Sequence, residues 1–282
     1  MKVLTFDIEE WFHILDEPST KTEKQWENYE SRIHLNVDRI LELLETKKQK
    51  ATFFCLGWIA KKYPEVIRKI DDMGYEIATH SNLHQLVYEQ TREEFKTDLE
   101  NSIKLIEDIT GKKIRVYRAP GFSIKEENKW AFEVLIENGI EVDCSIFPAE
   151  RSHGGFPDFG TAEPALIKVN GKYVKEFPIN FQHMFGKKLI FSGGGYFRFL
   201  PYWYLKRAFG SSSYVMTYFH PRDFDPKQPM IENLPLHRKF KSYYGLKGAF
   251  SKLEKLLCSF DFTDVRTAVD TTDWQKAKIM TL

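Results

Sequence analysis

The chain has 282 residues, with 41 basic and 40 acidic side chains and a mean hydropathy of −0.43. This charge balance excludes the broad basic surface that nucleic-acid binding uses, and no apolar stretch is long enough to cross a membrane. Too few apolar residues precede Asp7 for the core of a signal peptide, and the three cysteines have no zinc-ligand or disulfide-framework spacing. We therefore expect a cytoplasmic protein without a nucleic-acid partner or membrane insertion, whose oligomeric state the sequence leaves open.

Strand and helix patterns alternate through the first half of the chain. Helices are indicated by apolar residues at helical spacing, by capping boxes that start at Thr91 and Ser123, and by the glycine stops Gly74, Gly111 and Gly139. Short apolar runs between them predict strands. The predicted strands span residues 3–6, 51–56, 75–78, 114–117 and 141–146, and the predicted helices span residues 36–48, 59–73, 92–110 and 124–138.

The alternation is interrupted at residues 149–200, where glycine and proline are frequent. Within this region, residues 166–178 predict a β-hairpin that turns at Asn170-Gly171. A helix at 203–209, a strand at 214–219, a helix at 246–257 and a strand at 262–265 are predicted to follow. Repeated βα units indicate an α/β fold with a parallel barrel or a related sheet, and we expect a single domain over residues 1–282.

Polar side chains follow several of the predicted strands directly. The first strand leads into Asp7, Glu9 and Glu10, the third into His80 and His84, the fourth into Arg118 and the strand at 214–219 into His220. Because parallel α/β folds build their sites at the carboxyl ends of the strands, we expect these side chains to lie close together.

Two histidines four residues apart, together with one carboxylate, can bind a divalent ion and leave positions open for water. Alternation along a strand places Asp7 and Glu9 on one face, so Glu9 is favoured over Glu10 as the third ligand and Asp7 stays free. Asp7 is then a candidate base, His220 a candidate acid, and Arg118 a partner that keeps Asp7 ionised.

With these residues in place, the sequence resembles the polysaccharide deacetylases with a nodulation-type deacetylase domain (carbohydrate esterase family 4). Within that family it most resembles the subgroup associated with exopolysaccharide loci and exosortase systems. The resemblance covers nearly the whole chain. It is carried by the segments TFDIEE (5–10), ATFFCLGW (51–58), HSNLH (80–84), YRAP (117–120), DCSIFP (143–148), GGGYF (193–197) and YFHP (218–221), and by the tail around residues 243–246.

The resemblance implies a distorted (β/α)7-type barrel of the glycoside hydrolase/deacetylase kind. Its β-hairpin would lie in an irregular insertion at 149–200, and a C-terminal extension at 221–282 would pack on the barrel. It also implies hydrolysis of the N-acetyl group of an acetamido sugar in a polysaccharide or its lipid-linked precursor. The cofactor would be one divalent metal, with Zn²⁺ favoured over Co²⁺ or Ni²⁺.

Carried over by position, Asp7 is the base, His220 the acid, Arg118 the partner of the base and Asp143 a carboxylate that tunes the acid. His80 and His84 are the metal histidines, and the third ligand is Glu9 or Glu10, with Glu9 favoured by the strand-face argument. Gly121 falls where a backbone N–H group binds the developing oxyanion. The expected substrate-binding residues are Trp11, Pro120, Gly121, Phe122, Phe147 and Tyr218.

The chain departs from the family pattern in three places. The usual adjacent Asp-Asp pair is Asp7-Ile8-Glu9-Glu10, Phe147 stands near the position of a tryptophan, and Tyr218 replaces a leucine of the acetyl pocket. Two other functions remain open. One is ring-opening of a small cyclic amide on the same fold, and the other is glycan binding without turnover.

Overall fold

The computed structural model describes residues 1–15, 17–151, 153–184, 186–232 and 234–281. Numbered along the chain, its strands are β1 (Lys2–Val3), β2 (Thr5–Ile8), β3 (Thr52–Cys55), β4 (Glu76–Thr79), β5 (Val116–Tyr117), β6 (Val142–Asp143), β7 (Ala165–Val169), β8 (Lys172–Glu176), β9 (Gln182–Met184), β10 (Lys187–Leu189), β11 (Val215–Met216) and β12 (Lys278–Thr281). Its α-helices are α1 (Glu23–Trp26), α2 (Ile33–Lys47), α3 (Gly57–Lys62), α4 (Pro64–Asp72), α5 (Arg92–Thr110), α6 (Ala131–Glu137), α7 (Gly194–Phe199), α8 (Tyr202–Ser211), α9 (Leu236–Tyr243), α10 (Leu246–Ser259) and α11 (Val265–Thr271).

The main sheet has eight strands in the order β12-β7-β8-β6-β5-β4-β3-β2, and the neighbours from β2 through β6 to β8 are parallel. Strand β1 pairs in parallel with β11, and a bridge joins Phe6 to Phe219. On the other side of β11, the Met216 N–H donates to Asn180 Oδ1 at 3.2 Å. A single bridge also joins Gly193 to Tyr218, so the sheet curls toward closure through these contacts rather than through a full ladder. The predicted α/β fold with a distorted parallel barrel is confirmed.

The predicted helices form, but two of their limits were wrong. The Thr91 capping box is present, since Glu94 Oε2 accepts the Thr91 N–H at 2.8 Å and the Thr91 hydroxyl accepts the Glu94 N–H at 3.3 Å. The helix predicted at 59–73 is divided between α3 and α4, because Pro64 has no N–H to continue the helical hydrogen bonds. Helix α6 starts at Ala131, because the Ser123 hydroxyl accepts the Val87 N–H at 3.0 Å instead of capping a helix.

The prediction of a carboxyl-terminal strand at 262–265 was also wrong. Only a single bridge forms there, between Val3 and Thr263. Asp264 instead caps α11 by accepting the Thr267 N–H at 2.8 Å. An aspartate at this point favours a helix start over a continuing strand.

The predicted hairpin forms between β7 and β8, with Asn170 and Gly171 at φ values of 48° and 79°. Such left-handed pairs match the twist of a two-residue hairpin. The hairpin is not an appendage, because β8 pairs in parallel with β6 and β7 pairs with β12. Residues of the irregular region therefore complete the main sheet. Among the described residues, none of the helices combines the length and apolar composition that spanning a bilayer requires.

Candidate active site

The loop that carries the two motif histidines is held in an unusual backbone conformation. Ser81 and His84 have φ values of 71° and 54°, in the left-handed region that non-glycine residues rarely occupy. The Asp98 carboxylate holds this loop by accepting the N–H groups of Asn82 and Leu83 at 2.7 and 3.0 Å. Strained backbone of this kind is concentrated at functional sites, where the surrounding structure maintains it.

This loop brings both histidines against the first strand. Glu9, His80 and His84 are buried, and each offers a ligand atom within 4.8 Å of the other two. His84 Nε2 lies 2.6 Å from Glu9 Oε2, and this oxygen accepts no hydrogen bond from any other described residue. His80 Nδ1 lies 2.8 Å from the Arg118 carbonyl oxygen, which can only accept, so Nδ1 carries the proton and the Nε2 lone pair is free. This donor set fits a divalent cation.

Burial and neighbouring charge prepare these side chains as ligands. Burial lowers the pKa of His80 to about 4, so its ring is neutral at neutral pH. Burial alone would raise the pKa of Glu9, but His84 and His220 outweigh it and hold that pKa below the usual range. A neutral imidazole and an ionised carboxylate are the forms in which these groups bind metal.

The neighbouring Glu10 is used differently. Its carboxylate accepts the N–H groups of Arg32 and Ile33 at 3.1 and 3.2 Å, and it also accepts a hydrogen bond from the Ser31 hydroxyl. These contacts satisfy free N–H groups at the start of α2. Glu10 therefore points toward a helix terminus, whereas Glu9 points toward the histidines.

Asp7 lies in β2, two residues before Glu9, and contacts Arg118. Arg118 Nη1 lies 2.7 Å from Asp7 Oδ1 and 2.8 Å from Thr5 Oγ1, and Arg118 Nε donates to the Cys144 carbonyl at 3.3 Å. Both members of the ion pair are buried. A fully enclosed guanidinium with several fixed partners holds the carboxylate in one orientation.

His220 faces these carboxylates from the end of the neighbouring strand. Its Nε2 lies 3.8 Å from Asp7 Oδ2 and 3.5 Å from Glu9 Oε1, and its Nδ1 lies 2.9 Å from Asp223 Oδ2. Arg198 Nε lies 3.1 Å from Asp223 Oδ1. Burial would lower the pKa of His220, but Glu9 and Asp223 outweigh it and raise that pKa to about 9. Asp7 and His220 thus lie face to face beside the Glu9–histidine cluster.

Sequence reasoning missed Asp223 and Arg198. Asp223 is three residues after His220, and its carboxylate accepts both the His220 N–H and the His220 ring N–H. That spacing after a His-Pro pair was the available signal, because an acidic residue there can reach back to the chain that precedes the turn. Nothing near His220 in the sequence points to Arg198, which α7 supplies.

The carboxylate of Asp143, which was predicted to tune His220, makes its contacts elsewhere. It accepts the Ser145 hydroxyl at 2.6 Å and the Ser145 N–H at 3.0 Å, and the Glu176 carboxyl group adjoins it. Asp143 and Glu176 are both fully buried. In the described part of the chain, the carboxylate that hydrogen-bonds His220 belongs to Asp223 instead.

Two adjoining carboxyl groups can hydrogen-bond one another only when one of them holds a proton. Burial raises the pKa of both Asp143 and Glu176, and that of Glu176 lies well above its usual value. We infer that Glu176 holds the proton and donates it to Asp143. A raised folded-state pKa contributes stability that is complete below the unfolded-state pKa and is lost as the pH rises through the folded-state value.

We therefore expect Glu176→Gln to flatten the pH dependence of stability, because an amide keeps the donor and cannot ionise. As the pH rises from 6 to 9, the wild type should lose more unfolding free energy than the variant, by up to about 1.4 kcal/mol per pH unit while the folded state keeps a proton that the unfolded chain has released. Urea unfolding at both pH values measures this difference. Glu127→Gln, at an exposed residue, is the matched control. Equal losses in the wild type and the variant would contradict the shared proton.

Three of the six predicted substrate-binding side chains form one cluster beside Asp7 and His220. The rings of Phe122, Phe147 and Tyr218 lie 5.0–6.2 Å apart between centroids. The Tyr218 ring packs over Gly193, where a Cβ atom would lie 2.0 Å from it, so only glycine fits there. We call this cluster the aromatic cage.

The other three predicted substrate-binding residues lie outside this ring cluster. Pro120 and Gly121 precede Phe122 in a short turn, where Gly121 has a φ of 61°. Trp11 is buried and separate from the aromatic cage, with its indole N–H donating to the Glu30 carbonyl at 2.9 Å. Phe12, Phe156 and Phe159 are likewise buried, and core packing accounts for these rings.

Comparisons with known proteins relate this geometry to a family. Residues 18–140 match the model described as "Polysaccharide deacetylase", and residues 144–270 match "Domain of unknown function (DUF3473)". Over its full length the chain aligns with 92% of a candidate polysaccharide deacetylase structure from Mycobacterium smegmatis, with a TM-score of 0.69 at 19% identity. That likeness shows a shared fold.

Curated relatives match the chain over shorter ranges. A peptidoglycan-N-acetylglucosamine deacetylase from Bacillus cereus is 28% identical over 109 residues, which are 38% of either chain. Chitin deacetylase 1 from Saccharomyces cerevisiae is 32% identical over 131 residues, which are 45% of this chain and 42% of the yeast protein. The matched region thus spans about two fifths of these relatives. The exosortase association stays a prediction. Residues 18–140 of this chain are therefore similar to the polysaccharide deacetylase family, carbohydrate esterase family 4.

Proposed function

We propose that this protein is a metal-dependent hydrolase that removes the acetyl group from an acetamido sugar in a polysaccharide or its lipid-linked precursor. The observation that carries the proposal is the convergence of Asp7, Glu9, His80, His84 and His220 at one edge of the barrel. Relatives named for deacetylation of peptidoglycan and chitin support the substrate class.

In this proposal Glu9, His80 and His84 hold the metal, with Zn²⁺ favoured over the alternatives Co²⁺ and Ni²⁺. Zinc suits a site with two imidazoles, one carboxylate and open positions. When bound, the ion would supply Lewis-acid polarisation and make water a better nucleophile at neutral pH.

The remaining roles fall to residues of the chain. Asp7 accepts the proton of the attacking water, and Arg118 holds the Asp7 carboxylate in its orientation. His220 donates a proton to the leaving amine from Nε2, while Asp223 fixes its ring through Nδ1. The Gly121 N–H binds the oxyanion that develops on the amide carbonyl. Asp7 and His220 lie within 3.8 Å of one another, so one amide bond can be reached by both.

The test is acetate release from an N-acetylglucosamine oligomer by protein loaded with Zn²⁺. We expect release that chelation abolishes and added Zn²⁺ restores, with a single tightly bound ion per chain by elemental analysis. Glu9→Gln should lose the ion, and the matched variant Glu10→Gln should keep it, since Glu10 contacts the start of α2.

Acetate release that persists after thorough chelation, and also in His84→Ala, would contradict the metal mechanism. If Glu10→Gln loses the ion while Glu9→Gln keeps it, the ligand assignment is wrong. A preference for small cyclic amides over oligosaccharides would favour the ring-opening alternative. Tight glycan binding without acetate release in metal-loaded protein would favour a binding role.

The domain organisation and the location belong to the same proposal. We propose that residues 1–282 form one domain, because β12 pairs with β7 and a bridge joins Val3 to Thr263. Residues 221–282 would then be a continuation packed on the barrel.

The cytoplasmic location expected from the sequence stays a prediction, and fractionation of cells that express the protein tests it.

A further inference from the structure

Arg151 packs against the aromatic cage. Its guanidinium carbon lies 4.6 Å from the ring centroid of Phe147, 4.9 Å from that of Phe122 and 5.7 Å from that of Tyr218. A guanidinium over several ring faces is held by cation–π attraction while the N–H groups at its edge stay available. Arg151 was not singled out from the sequence, because its loop carries no motif.

The cage places Arg151 beside the proposed reaction centre. Phe122 directly follows Gly121, the proposed oxyanion donor, and its ring also lies 5.7 Å from the Arg118 guanidinium. Tyr218 is two residues before His220 on the same strand end. A substrate group that touches the cage therefore lies next to the amide that is to be cleaved.

Backbone hydrogen bonds on both sides of Arg151 fix its loop to the cage. The Gly155 N–H donates to the Phe122 carbonyl at 3.1 Å, and the Ala149 and Phe156 N–H groups donate to the Phe147 carbonyl at 2.8 Å each. A Cβ atom on Gly154 would lie 2.1 Å from the Phe122 carbonyl oxygen, so the loop depends on glycine for its close approach. The arginine is held in place by the same backbone that positions two rings of the cage.

The positive charge of Arg151 has no counter-ion among the described residues. Its Nη1 is buried and has no hydrogen-bond partner in the described part of the chain, whereas the nearby Arg118 and Arg198 are paired with Asp7 and Asp223. Buried guanidinium N–H groups are normally satisfied, and an unpaired one beside a reaction centre is suited to an anion that arrives with the substrate.

We propose that Arg151 binds a carboxylate carried by the substrate, so that this protein deacylates an anionic glycan. The inference rests on the proposed function and narrows its substrate class. A carboxylate matches the planar fork of a guanidinium through two parallel hydrogen bonds. It could belong to the sugar, as in a uronic acid, or to the acyl group, as in a succinyl amide.

The experiment compares three oligosaccharides of equal length on the zinc-loaded full chain. One is a neutral N-acetylhexosamine oligomer, one contains N-acetylated hexosaminuronate residues, and one is neutral in its sugars but N-succinylated. We expect kcat/KM for one anionic oligomer to exceed that for the neutral one by at least about tenfold, which is equivalent to about 1.4 kcal/mol. The uronate oligomer would place the carboxylate on the sugar, and the succinylated one would place it on the acyl group.

Binding by calorimetry to the zinc-loaded Asp7→Asn variant provides a readout without turnover. In that background, Arg151→Gln should abolish the preference for the anionic oligomer, and Arg151→Lys should keep only part of it because the planar fork is lost. Arg207→Gln, at an exposed residue of α8, is the control that should keep the full preference. Thermal unfolding of each variant identifies any that fail to fold, in which case Arg151→Lys carries the comparison.

Equal kcat/KM for all three oligomers would overturn the role of Arg151 and leave the deacetylase proposal intact. A preference that persists unchanged in both Arg151 variants would also overturn it. If metal-loaded protein releases neither acetate nor succinate from any of the three oligomers, the proposed function itself is contradicted. Selective binding of an anionic oligomer by that same protein would still support the role of Arg151.

Discussion

Replacing Asp7 with asparagine is expected to lower kcat for acetate release by roughly 10³-fold while the tightly bound metal remains, since general bases contribute about 10²–10⁴-fold. The amide is nearly the size of the carboxylate and still accepts a hydrogen bond from Arg118, so the barrel should fold. It cannot accept a proton from water. Glu9, His80 and His84 are unchanged, and elemental analysis should find the same metal content as in the wild type.

Steady-state kinetics together with metal analysis separate this variant from one that loses the ion. Asp38→Asn is the control, because Asp38 is exposed and pairs with Lys69 on the surface. Its activity should match the wild type, since surface ion pairs contribute little. If Asp7→Asn loses its metal along with its activity, Asp7 acts as a ligand and the base must be sought elsewhere. If it keeps full activity, the proposed base is wrong.

The sequence pattern predicts the proximity of some of the polar residues that meet in the structure. Asp7, His80 and Arg118 each follow a short apolar run, and parallel strands β2, β4 and β5 end at the same edge of the sheet. Continuing the alternation of β2 by one residue also places Glu9 on the same face as Asp7, and Glu10 on the opposite face. These inferences depend only on local pattern and on the geometry of a parallel sheet, so they hold without knowledge of the remaining packing.

Long-range contacts decide the features that the sequence did not predict. Ser123 has the spacing of a helix cap, yet its hydroxyl bonds the Val87 N–H, some 36 residues away. Arg198 reaches Asp223 from a different helix, and Arg151 reaches the aromatic cage from a glycine-rich loop. None of these partners has a fixed sequence separation, and therefore no local pattern encodes them.

Asp223, found only in the structure, leads to the second prediction. Asp223→Asn is expected to lower kcat for acetate release by about 100-fold, within the usual contribution of a general acid. Its carboxylate accepts the His220 N–H and ring N–H groups and so directs Nε2 toward the reaction centre. An asparagine can turn its NH₂ group toward the ring and release that orientation. The fold should persist, because Arg198 also donates to the carbonyls of Lys241, Ser242 and Tyr244.

Two substrates with different leaving groups test whether Asp223 acts through the proton that His220 donates. An amine must be protonated to leave, whereas 4-nitrophenolate leaves without a proton. Asp223→Asn should therefore slow acetate release from the acetamido glycan about 100-fold and hydrolysis of 4-nitrophenyl acetate only slightly, with metal content unchanged. Asp273→Asn, at a surface pair with Lys276, is the matched control. Equal losses on the amide and the ester would mean that Asp223 supports the fold of the site and does not orient its acid, because general damage does not distinguish between leaving groups.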